Sequence, residues 1–140
     1  MKILLTGTAS DSHTWNLVYL QLLLEELGHR VVNIGPCVTD DLLTAACHTH
    51  TPGLVVISSV NGHGYRDGLS AVRRLRAEPG LGTTPVVIGG KLGVAGARDH
   101  ERAAQLLAAG CDAVFDDGDV AGLRTLVAGL DRAGSLRVTA

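Results

Sequence analysis

Apolar residues along the 140-residue chain alternate between short continuous runs and longer stretches with helical spacing. The short runs fall at residues 2–6, 30–34, 54–58, 85–88 and 113–115. They lack polar alternation and are rich in Val, Ile and Leu, which predicts strands buried on both faces. Residues 14–27, 39–48, 67–77, 99–109 and 120–130 predict helices. The first carries Leu17, Leu20, Leu24 and Leu27 on one stripe and is stopped by Gly28. Asp99 and Asp119 are placed to cap the last two, and Gly110 to close the fourth. Alternation of this kind predicts an α/β domain, a doubly wound, mostly parallel sheet with helices on both faces. One domain over residues 1–131 and a fraying tail over 132–140 account for the chain, with no linker, repeat or low-complexity tract.

Composition narrows the function. Hydrophobic residues at 46% and charged residues at 19% describe a chain that folds by itself. A net charge of −2, with the Lys and Arg residues scattered, argues against nucleic acid as a partner. The opening apolar run, residues 3–5, is too short for a signal, and no stretch is long enough to span a bilayer, so neither secretion nor membrane insertion is expected. Cys37, Cys47 and Cys111 form an odd set without a Cys-x-x-Cys pair, which speaks against disulfides or a zinc knuckle and fits a reducing cytoplasm. Aromatic residues at 3% leave little for stacking a flavin or a single strand of nucleic acid.

In an open α/β sheet the ligand site lies beyond the carboxyl ends of the strands, at the switch point. That confines function to residues 7–13, 58–65, 89–96 and 116–119. Gly62, Gly64, Gly89, Gly90, Gly93 and Gly96 cluster there; singly they read as tight turns, together as backbone approached by something bulky. Asp11-Ser12-His13 stands out, because the carboxylate can accept the histidine Nδ1 hydrogen and leave Nε2 for a metal. Alone, the same pair also reads as a cap beside a surface histidine. Zinc would need three or four protein ligands, and no further His or Cys has a compatible spacing. A metal already held in a macrocycle needs just one axial ligand.

Asp11-Ser12-His13-Thr14-Trp15-Asn16, Ser58-Ser59-Val60 and Gly89-Gly90 resemble the Asp-x-His-x-x-Gly, Ser-x-Leu, Gly-Gly signature of base-off, histidine-on cobalamin-binding domains, at matching intervals. Residues 31–35, 58–64 and 89–94 are similar to the small, sigma subunits of glutamate (methylaspartate) mutases, and the resemblance runs to about Gly129. It implies a five-stranded, flavodoxin-like (Rossmann-like) cobalamin-binding domain. On this resemblance His13 is the cobalt ligand and Asp11 its hydrogen-bond partner. Ser58, Ser59 and Val60 line a slot for the nucleotide tail, and Gly89 and Gly90 let the tail pass close to the backbone. Ser10, Ser12 and Thr14 bracket the histidine, while Lys91, Leu92, Gly93 and Val94 close the opposite wall. Three positions depart from the family: Asn16 replaces a glycine, Val60 a leucine, and Asp117-Gly118-Asp119 a Pro-Gly-Thr-like turn.

The resemblance also implies adenosylcobalamin, and a radical 1,2-shift that interconverts glutamate and 3-methylaspartate. A chain of this size has no room for the sealed chamber such a reaction needs. It implies a large catalytic barrel subunit as partner, in a heterotetramer, binding most of the small amino-acid substrate. Asn61, His63, Tyr65 and Arg66 are then contacts to corrin amides or to the partner, or else solvated loop residues. His29, His48, His50 and His100 read as surface residues, and Trp15 as a packing residue. The alternatives are a corrinoid carrier or cobalamin-sensing module, which usually has a helical cap before the first strand, and a flavodoxin-like or receiver domain. Thr6-Gly7-Thr8 loosely resembles a phosphate-binding loop, but a receiver needs an aspartate where Ser58 ends the third strand.

Overall fold

The computed structural model of the chain describes residues 1–93, 98–116 and 119–139. Strands and helices alternate without exception: β1 (Lys2–Gly7), α1 (Trp15–Glu26), β2 (Arg30–Asn33), α2 (Asp40–His50), β3 (Leu54–Ser59), α3 (Gly64–Ala77), β4 (Val86–Gly90), α4 (Arg98–Ala109), β5 (Ala113–Asp116) and α5 (Val120–Thr139). The strands form one parallel sheet in the order β2-β1-β3-β4-β5. This is the flavodoxin-like doubly wound order, with its switch point between β1 and β3.

Side-chain alternation along the strands divides the core in two. Ile3, Leu5, Leu54, Val56 and Val87 face Leu17 and Leu24 of α1 and Leu123 and Val127 of α5. Leu4, Val55, Ile57, Val86 and Ile88 face the other way, against Leu43 of α2, Val72 and Leu75 of α3, and Leu106 of α4. Each fully buried Leu or Ile contributes about 1.5–3 kcal/mol, which is why the runs without polar alternation became central strands. The two faces are covered differently. Helix α3 packs on both α2 and α4, whereas no Cα of α1 comes within 8 Å of one of α5 among the described residues. A gap therefore remains over the carboxyl halves of β3 and β4.

Boundaries moved where packing overrode local signals. Strands β3 and β4 run on through Ser59 and Gly90, so Ser58, Ser59, Gly89 and Gly90 are the last rungs of the ladder rather than loop residues, paired Ser58 with Gly89 and Ser59 with Gly90. Helix α3 starts three residues before the predicted position. There a side chain at Gly64 or Gly68 would collide with Leu92 or Ile88, and glycine lets the helix lie flush on β4. Asp99 lies inside α4, which starts at Arg98, so it is not the residue before the helix. Asp119 does cap α5, its Oδ1 accepting from Gly122 N at 3.0 Å. Helix α5 passes the predicted end at residue 130 and continues to Thr139 through most of the expected tail. No helix among the described residues is long and apolar enough to cross a membrane.

Candidate functional site

Leaving β1, the chain turns to one face of the sheet through α1; leaving β3 it turns to the other through α3. The loops diverge above the switch point, and Asp11 bridges them. It is 1% exposed. One carboxylate oxygen, Oδ1, accepts from His13 N at 3.0 Å and lies 2.6 Å from His13 Nδ1. The other, Oδ2, accepts from Val60 N at 2.7 Å and from Ser59 Oγ at 3.1 Å. Burial alone would push this carboxyl up, but the hydrogen bonds from the backbones of Val60 and His13 and the side chains of His13 and Ser59 outweigh it and hold it below its ordinary value. Asp11 is thus an anchored carboxylate that joins the β1–α1 loop to the end of β3.

Its anchoring decides the state of His13. With a carboxylate at Nδ1, that nitrogen carries the hydrogen and Nε2 presents a lone pair. The ring is 59% exposed, so Nε2 is available to a ligand arriving from outside the fold. Further contacts stiffen the loop. Ser10 donates from N and Oγ to Asp67 Oδ2 of α3, Asn61 Nδ2 donates to Ser10 O, and Cys37 N donates to Asp11 O at 2.9 Å. Ser12 and Thr14 are exposed on either side of His13.

Beside this loop, the gap between α1 and α5 forms a cleft of about 610 Å³, counting its open mouth. Ser58, Val60, Gly89 and Gly90 line it, four of the residues the sequence singled out, together with Tyr19, Leu20, Val56, Val87, Phe115 and Leu123. The lining is almost entirely apolar. The glycines have an additional, structural cause. A Cβ on Gly90, at φ +110°, would fall 2.2 Å from Ser59 O, and one on Gly89 would fall 3.1 Å from Phe115 O. Neighbouring strands therefore already exclude side chains there.

Other expectations divide. Lys91 is exposed, but Leu92 is fully buried in the α3–α4 half of the core, across the sheet from the cleft. Gly93 abuts Tyr65, and Val94 lies outside the described residues, as do Gly96, Asp117 and Gly118. Tyr65, read as an exposed contact residue, is 5% exposed and its hydroxyl donates to Asp116 Oδ2 at 2.7 Å. His63 and Arg66 are exposed. Trp15 does not pack; it is 83% exposed. His29 is buried, with Nδ1 3.0 Å from the amino terminus. The sequence reading missed the share of α1 and α5 in the cleft. Its α1 wall is Asn16, Tyr19 and Leu20, and only Tyr19, an aromatic off the stripe of Leu17 and Leu24, could have signalled it.

The donor set suits a metal that brings its own equatorial ligands. Among the described residues no group of three His, Cys, Asp or Glu side chains could hold a bare ion. What is present is one imidazole held at Nδ1 by a carboxylate, next to an apolar cleft.

The chain is 30% identical to the glutamate mutase sigma subunit of Fusobacterium nucleatum subsp. nucleatum, over 84% of this chain and 85% of that protein. It is 29% identical to glutamate mutase sigma subunit 1 of Haloarcula marismortui, over 81% of this chain and 74% of that protein. Among solved structures, a cobalamin-binding protein from Desulfitobacterium hafniense superposes with a TM-score of 0.67 at 22% identity, covering 81% of this chain and about half, 51%, of that one. A response regulator from Aurantimonas sp. SI85-9A1 superposes equally well, TM-score 0.67 at 21% identity, covering 93% of this chain and 84% of that one. These two likenesses show the shared fold and do not separate cobalamin binding from signalling. The sequence does: residues 1–124 match the B12 binding domain, and the chain belongs to that family, as a relative of the sigma subunits of glutamate mutase.

Proposed function

We propose that this chain carries cobalamin base-off, with His13 Nε2 as the lower axial ligand, in an adenosylcobalamin-dependent carbon-skeleton mutase that interconverts glutamate and 3-methylaspartate. The observation that carries this reading is the Asp11–His13 pair at 2.6 Å, locked to the end of β3 and adjoining the apolar cleft. Asp11 holds the imidazole in one tautomer and orientation, with Nε2 free to coordinate. Ser58, Val60, Gly89 and Gly90 receive the nucleotide tail in the cleft, and Ser10, Ser12 and Thr14 flank the histidine. When bound, adenosylcobalamin supplies a cobalt–carbon bond whose homolysis initiates the 1,2-shift. The chain's own part is to bind, orient and present that group. A catalytic subunit, implied by the names of the relatives, encloses the reacting face and binds the amino acid; we place it on the edge that bears His13 and His63, in a heterotetramer in the cytoplasm.

Titration of the purified protein with hydroxocobalamin, followed by absorbance and, after reduction to the cobalt(II) state, by electron paramagnetic resonance, tests the ligand. Nitrogen splitting from the protein imidazole is expected in the wild type and its loss in His13→Ala; identical spectra would refute axial ligation. Reconstitution with the catalytic subunit and a screen of glutamate against other acids tests the substrate.

A further inference from the structure

Asn16 stands where the family signature has glycine, at the start of α1 on the wall of the cleft. Its Nδ2 donates to Ser58 Oγ at 2.8 Å. Its Oδ1 is sealed from solvent and has no hydrogen-bond donor among the described residues. A buried acceptor left unpaired is costly, and such atoms in native proteins call for an explanation. No neighbouring side chain donates to it: Leu20, Val56, Val87, Phe115 and Leu123 carry no polar hydrogen, the Asp119 carboxylate only accepts, and the Tyr19 hydroxyl is not bonded to it. Ser58 Oγ, having accepted from Asn16, retains a hydroxyl hydrogen to donate. The two residues therefore form a polar pair set in an apolar slot, with one acceptor and one donor to spare.

We infer that Asn16 is a specificity-determining residue of the cleft: as the nucleotide tail of the corrinoid enters and parts the cleft walls, Oδ1 is uncovered and accepts a hydrogen bond from an O–H or N–H group on that tail. This rests on the reading of the cleft as a tail site and extends it to the chemistry of the tail. A glycine at this position provides space and no recognition; asparagine exchanges part of that space for a polar contact. Two parts of a tail can supply the donor. One is a ribose hydroxyl, common to all nucleotide tails; the other is the exocyclic amino group of a purine lower base, which dimethylbenzimidazole lacks.

Dissociation constants measured by absorbance for wild type and Asn16→Ala, with three corrinoids, test the inference. Cobinamide has no nucleotide tail, cobalamin has a dimethylbenzimidazole tail, and the third has adenine as lower base. Asn16→Ala is expected to weaken the tailed corrinoids about 3- to 10-fold, the worth of one hydrogen bond, and to leave cobinamide unchanged. Unchanged cobinamide binding also serves as the control for folding. Equal losses for both tails assign the donor to the ribose, and a loss confined to the adenine tail assigns it to the base; either supports the inference. Unweakened tail binding in Asn16→Ala, or an equal loss for cobinamide, overturns it while leaving cobalamin binding intact. Wild-type protein that binds none of the three overturns the parent reading and this one with it.

Discussion

Replacing Asp11 by Asn changes few atoms and removes the charge that ties the two loops together. Each carboxylate oxygen receives two donors, from His13 on one side and from β3 on the other. Asparagine has one oxygen, so on one side its NH₂ group must face two donors, those of Ser59 and Val60 or those of His13. Hydrogen bonds to a charged group contribute about 1.5–3 kcal/mol, and a buried donor without a partner costs about 1–3 kcal/mol. With partial relaxation the expected loss is about 2–4 kcal/mol, which at a urea slope of about 2 kcal/mol per M lowers the unfolding midpoint by about 1–2 M. The sign with pH is fixed. Asp11 is held below its ordinary value of 3.8, so its contribution is complete above that value and is lost as pH falls through the lower folded-state value. The gap between wild type and Asp11→Asn is therefore constant from about pH 7 to 5 and narrows below about pH 4. Equilibrium urea unfolding of the ligand-free protein at several pH values checks both points. A loss under about 0.5 kcal/mol at pH 7, or a gap that widens on acidification, would refute the bridging role.

Two further substitutions probe the scaffold. Gly90→Ala places a Cβ against Ser59 O at a φ of +110°, and is expected to cost about 2–4 kcal/mol in the ligand-free protein, measured by thermal or urea unfolding; a neutral result would show that β4 can shift. Arg76→Met keeps the side-chain stem but removes donors to Gly110 O, Thr84 O and Asp112 Oδ2. With a side chain 19% exposed, a loss of about 2–3 kcal/mol is expected in the same assay, with hydrogen exchange quickening at the turn before β5.

How much was legible beforehand follows from the range of each interaction. Leu4, Val55 and Ile88 lie in continuous apolar runs, a local signal, and the parallel sheet follows from it by the chirality of its crossovers. The Asp11–His13 pair was legible because both partners lie within three residues. Its anchoring to Val60 was not, since nothing in the local sequence tells which backbone N–H will close on a carboxylate from the far side of the switch point. Gly89 and Gly90 were noticed as glycines, but one physical reason for them lies in Phe115 and Ser59 on the neighbouring strands. Leu92 was placed by its position in the chain, whereas its side chain crosses to the opposite half of the core. The expected site residues closest to His13 in sequence fell beside it; those that depend on which face a side chain takes did not all follow.

The separation of α1 from α5 gives the fold an unfinished layer. One face of the sheet is roofed by three helices in contact, while the other carries two helices with a narrow apolar cleft between them. A molecule seated in that gap is less a passenger than a detachable piece of the interior, so folding and loading are thermodynamically linked. Melting temperature should rise with the logarithm of ligand concentration once the site is saturated, about 2.7 kcal/mol of added stability at a hundredfold excess over the dissociation constant.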